Sequence, residues 1–173
     1  MKKSSTQRLV LAGLFTAIGI VLPFAFHALS LSGSIFLPMH IPVLLCGLIC
    51  GWRHGLAAGA VIPLLSSVLT GMPPLYPVAI SMAFELSAYG AVIGLASKKV
   101  NAFAALVIAM LSGRAVSGIA NVLLLSLSGK SYAWSAFLTG AFVTALPGII
   151  IQLILIPLIY AAVQKNKHLE RVI

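Results

Sequence analysis

Apolar residues in this chain come in long unbroken runs, and charges fall almost entirely between them. "RLVLAGLFTAIGIVLPFAF" and "AFAALVIAMLSGRAVSGIANVLLLSL" do not alternate, which argues for helices rather than barrel strands. Only 8% of residues are charged, against about 25% in a soluble domain, so the chain could not clothe a globule in polar surface. Its solvent must be lipid, which satisfies no backbone N–H or C=O group, and a helix satisfies its own. The expectation is an all-α integral membrane protein, one membrane domain over residues 1–173.

Six segments can be read: Arg8 to Phe26, Phe36 to Gly51, Gly55 to Thr70, Val78 to Ser97, Ala102 to Leu127, and Trp134 to Val163. About 20 residues span a bilayer, so the second and third are short, and the second, with Pro38 and Pro42, could instead be re-entrant. Positive charge decides between the two. With six spans and the N-terminus inside, the inner side holds Lys2, Lys3, Arg8, Arg53, Lys98, Lys99, Lys165, Lys167 and Arg171, nine of the 11 basic residues. Only Lys130 lies outside, and Arg114 lies within a span. The expectation is six helices with both termini cytoplasmic.

The same distribution explains the net charge of +9 as an orienting device, not a nucleic-acid surface. The N-terminal run is too long for a signal peptide and is taken as the first span. Cys46 and Cys50, four apart on one apolar helix face, read as small core residues. The inner links are short and basic. The outer loops, "HALSLSGSIFLPMH", "GMPPLYP" and "SLSGKSYAWS", are longer and rich in Gly, Pro, Ser and aromatics. Tyr76, Tyr132 and Trp134 in them are either interfacial anchors or part of a capture site. Pro63, Pro147 and Pro157 lie within spans and bend helices or free carbonyls there.

Ionisable groups at membrane depth are costly and face a bundle interior or cavity. Glu85 is one of only two acids in the chain, and Glu170 is in the charged tail. Arg114, Ser117, Gly118 and Asn121 share a face of the fifth helix, and Ser81, Glu85 and Tyr89 share a face of the fourth. At about 1.5 Å per residue, Glu85 and Asn121 each lie about 10 Å below the outer ends of their helices, with Arg114 deeper. These groups would line an outward pocket with Arg114 at its floor. A structural Glu85–Arg114 pair is the competing arrangement, although side chains lean toward their own helix N-terminus, which drives these two apart. Asn121 can equally make an ordinary interhelical hydrogen bond. His40, in "LPMHIP" at the outer end of the second helix, is either a polar residue at the water interface or a site residue.

No HExxH, GxSxG, paired carboxylates or phosphate-cradling loop occurs, so neither an enzyme nor a cofactor is expected. No acid or second histidine stands at metal-ligand spacing from His40, so no metal site is expected. The chain has no nucleotide site, so ATP-driven work must come from a partner.

The length, six apolar segments, basic N-terminus and uncharged outer loops resemble the substrate-binding S components of energy-coupling factor (ECF) vitamin transporters. Locally, "GLFTA", Gly13 to Ala17, is similar to the family's small-x-x-x-small motif in helix one, with Gly for the first Ala. "LLCGLICGWRHGLAAGAV" is similar to its link between helices two and three. The resemblance implies a prokaryotic plasma-membrane protein that captures a water-soluble vitamin from outside. It then docks through Gly13 and Ala17 on a membrane coupling (T) protein bearing two ATP-binding subunits, and reorients to release the vitamin inside. The implied pocket, in outer loops and outer halves of helices four to six, takes in Glu85, Asn121, Arg114, Tyr89, His40, Tyr76 and Ser81. A pyridoxine- or hydroxymethylpyrimidine-like ring would suit Glu85 as acceptor, and pantothenate would suit Arg114. The alternatives are a non-transporting membrane assembly subunit and a self-sufficient small transporter.

Overall fold

A computed structural model describes residues 5–29, 33–127 and 134–165, and these are helical with no strand among them. Helix α1 is Ser5–Ala28, α2 is Gly33–Phe36, α3 is His40–Cys50 and α4 is Trp52–Thr70. A π-helical turn, Leu75–Ala79, leads into α5, Ile80–Ala96, and α6 is Ala102–Leu127. The last segment comprises α7, Trp134–Leu138, a π-helical stretch Thr139–Thr144, and α8, Leu146–Lys165. Five stretches are long and apolar enough to cross a membrane: Ser5–Ala28, Gly33–Cys50, Leu75–Ala96, Ala102–Leu127 and Leu146–Lys165. The chain is thus a multi-pass membrane protein. Helix α4 has 19 residues, about 28 Å, but opens with Trp52, Arg53 and His54 and ends among serines, which makes it the least apolar long helix.

Helix α3 is the centre. Every residue from His40 to Cys50 except Ile41 is buried, the mark of a helix with protein on all sides. Pro42 sits in its first turn, where an N–H has no intrahelical acceptor to lose. Its entry is sharp. Leu37 takes a left-handed φ of 52°, its N–H donates to Gly33 O at 3.0 Å, and its carbonyl accepts from His40 N at 3.1 Å. A left-handed leucine costs about 1–2 kcal/mol, and here it turns the short helix α2 into α3.

Glycines bring α3, α4 and α5 together backbone to backbone. A Cβ on Gly90 would stand 2.2 Å from Gly55 O, one on Gly47 would stand 2.4 Å from Gly90 O, and one on Gly59 would stand 2.3 Å from the Leu86 carbonyl. One on Gly94 would meet Trp52 N at 2.5 Å, which places Arg53 and the Lys98–Lys99 link at one end of the bundle. Helix α5 therefore runs parallel to α3 and antiparallel to α4. Helix α6 is antiparallel to α5, since Asn121 meets Ser81 and Gly113 packs under Tyr89. Cys46 and Cys50 are buried in this core, as their spacing implied. Helix α1 lies on α4 through Gly19, where a Cβ would be 2.5 Å from Ile62, and keeps most of its apolar surface outward.

The last segment, expected as one helix, is broken. Pro147 has no N–H for the carbonyl of Val143, and its ring crowds that carbonyl, so the ladder opens into a π-type stretch and restarts at Leu146. Gly148 lets α8 close on α2, where a Cβ would stand 2.6 Å from Ile35 O.

Candidate functional site

Two polar stripes face each other across α5 and α6, because both recur at helical spacing and the helices are antiparallel. At one level Asn121 Nδ2 donates to Ser81 Oγ at 2.7 Å and to its own helix at Ser117 O, 2.8 Å. About one turn deeper, Arg114 Nη1 donates to Glu85 Oε1 at 2.7 Å. The Glu85 side chain is 5% exposed and that of Arg114 12%, so the charges compensate each other out of water.

This register differs from the expected one. Glu85 is not level with Asn121, since Ser81 is, and Glu85 lies four residues further in, about 6 Å. The leaning of side chains toward helix N-termini does not keep the pair apart. Gly113 has no side chain, the Tyr89 ring fits within 3.0 Å of where its Cβ would be, and α5 approaches closely enough for the long arginine to reach back.

His40 is not at a water interface. It is 2% exposed, its Nε2 stands 3.7 Å from Glu85 Oε1, and its ring packs edge-on against Tyr89 with centroids 5.2 Å apart. The break at Leu37 carries the start of α3 into the bundle, and His40 goes with it. Neither ring nitrogen has a hydrogen-bond partner.

Tyr76 lies apart from this cluster. It is exposed, and its hydroxyl donates to the carbonyl of Leu124, tying the start of α5 to the end of α6. The neighbouring loop is fastened too: Ser66 Oγ donates to Met72 O at 2.9 Å and Thr70 Oγ1 to the same oxygen at 3.0 Å. Trp134 meets Phe137 edge-on, and Tyr132 falls outside the described residues.

Beside the cluster, between α5, α6 and α8, lies a cavity of about 170 Å³. Tyr89, Arg114, Gln152, Leu37, Met110 and Phe142 are among its lining residues. Arg114 and Tyr89 are the expected site residues that reach it. Gln152 was not foreseen, although an amide inside "GIIIQLILI" is itself a costly polar group at membrane depth. Gln152 is 1% exposed, and its Nε2 has no hydrogen-bond partner. Arg114 Nη2 is buried and likewise without one.

A family profile described as "ECF transporter, substrate-specific component" matches residues 7–160. The chain belongs to that family. The match takes in every long helix of this S component, including both stripes and the whole cavity lining. No curated protein and no solved structure matches the S component. Gly13 and Ala17 of the S component lie on the exposed side of α1, and nothing stands within 4 Å of where a Gly13 Cβ would be.

Proposed function

We propose that this S component captures a water-soluble vitamin or precursor from outside and delivers it inward through a T protein and two ATP-binding subunits. The observation that carries the reading is the cavity of about 170 Å³ set against a buried ion pair in a chain of this family. A buried charge pair in a membrane bundle is costly, and a cavity beside it gives it a task. Arg114, Tyr89 and Gln152 face the substrate in this reading. Glu85 and His40 hold Arg114 and Tyr89 in place, and Asn121 with Ser81 straps α6 to α5.

The topology proposed with it has six spans, α4 included, in one membrane domain with both termini cytoplasmic, in a prokaryotic plasma membrane. Its support is that Arg53 and Lys98–Lys99 share one end of the bundle, where the positive-inside rule needs them. The exposed Gly13–Ala17 strip is the proposed contact with the T protein.

The test is a thermal-shift screen of water-soluble vitamins on purified protein, followed by uptake into liposomes. Binding by the protein alone, with accumulation only when the coupling complex and ATP are added, is expected. Accumulation without the complex would overturn the reading in favour of a self-sufficient transporter. Absence of binding to any vitamin would favour an assembly subunit.

A further inference from the structure

Two buried nitrogens at one cavity lack partners, and this says what the cavity receives. Arg114 Nη2 and Gln152 Nε2 are both out of water and unbonded, and both residues line the space between α5, α6 and α8. Leaving such donors unmade is expensive, and a guanidinium nitrogen can only donate. The missing partner is therefore an acceptor.

Its charge follows from Glu85. The Glu85 carboxylate is the only acid among the described residues, and it already compensates Arg114 at 2.7 Å. A second carboxylate on the same guanidinium would set two anions against one cation at low dielectric, where like charges a few ångströms apart repel strongly. A neutral acceptor, such as a carbonyl, an amide or a ring nitrogen, satisfies both donors without that repulsion.

The rest of the lining sets the shape. Apart from Arg114 and Gln152 it is aliphatic and aromatic, with Leu37, Met110, Tyr89 and Phe142 among the residues. An apolar cavity of about 150 Å³ holds a benzene ring, so about 170 Å³ admits one ring with a small substituent.

We infer that the cavity binds a single-ring, uncharged compound, with Arg114 and Gln152 both donating to a neutral acceptor on its edge, and that Gln152 is a specificity residue. This rests on the transport reading above, and it shifts ligand reading from Glu85, whose Oε1 is already engaged, to Gln152.

The test uses ring pairs differing only in charge, nicotinamide with nicotinate and benzamide with benzoate, scored by melting temperature and by titration on purified protein. The amides should raise the melting temperature in a saturable way and the carboxylates should not. Gln152→Met keeps length and removes the donor. Because Nε2 has no partner, the unliganded variant should melt like the parent or higher, while amide affinity falls about five- to hundredfold. A merely structural Gln152 would give the reverse pattern, lower melting with affinity kept. Gln152→Leu is the second removal, and loss of folded protein in both variants would make Gln152 structural and overturn the inference. Preference for the carboxylates, no shift with any probe, or parent-like amide affinity in Gln152→Met would overturn it too. A carboxylate preference would leave the S-component reading intact, because uptake with the coupling complex tests that reading separately.

Discussion

Arg114 Nη1 and Glu85 Oε1 meet at 2.7 Å across 29 residues of sequence, joining α6 to α5 in the middle of the bundle. The pair makes Glu85 a counter-charge for Arg114, and truncating either side strands the other. Glu85→Gln or Arg114→Met should each cost about 3–5 kcal/mol, seen as lower melting temperature and yield. The double variant should be more stable than the sum of the two losses, because neither charge is left alone. A double-mutant cycle on purified protein checks this, and strict additivity would show that the pair contributes nothing.

The glycine contacts make a different kind of prediction. A methyl group on Gly90 would sit 2.2 Å from the backbone oxygen of Gly55, with no flexible side chain to yield. Gly90→Ala and Gly59→Ala should each cost about 1–3 kcal/mol or prevent folding. Gly13→Ala, with nothing within 4 Å, should be neutral or gain up to about 1 kcal/mol of helix propensity. Chromatographic monodispersity and melting temperature of the three variants separate these outcomes.

Asn121 acts between helices. Its Nδ2 is taken by Ser81 and by Ser117 O, so Asn121→Ala should lower stability by about 0.6 kcal/mol, at most about 1.7 kcal/mol. Affinity for the substrate, measured by titration, should stay that of the parent. A large affinity loss with unchanged melting would put Asn121 on the ligand instead.

Gly13→Leu with Ala17→Leu places bulk on a face that touches nothing within the chain. Ligand binding and melting temperature should be unchanged, while uptake in cells and co-purification with the T protein should be lost. Normal uptake by the double variant would show that partner contact lies elsewhere.

Both polar stripes were legible in the sequence, because helical spacing alone puts Ser81, Glu85 and Tyr89 on one face and Arg114, Ser117 and Asn121 on another. Their register was not, since it depends on how closely two helices approach, and that was set by one missing side chain at Gly113. The inward position of His40 depends on the left-handed turn at Leu37, a leucine that carries no local mark of such a conformation. Two signals were present and unread. Gly47, Gly51, Gly55 and Gly59 recur every four residues, the spacing that lets membrane helices touch, and Gln152 is a lone amide among aliphatics.

The close glycine seams have a consequence for how such a protein can acquire new substrates. Where backbone rests on backbone, no side chain remains to be exchanged, so α3, α4 and α5 offer selection almost nothing to vary along those seams. The cavity wall at Met110, Phe142 and Gln152 belongs to α6 and to the broken last segment, outside the seams. Specificity can drift there one side chain at a time while the frame stays fixed, much as a lock is rekeyed without changing its case.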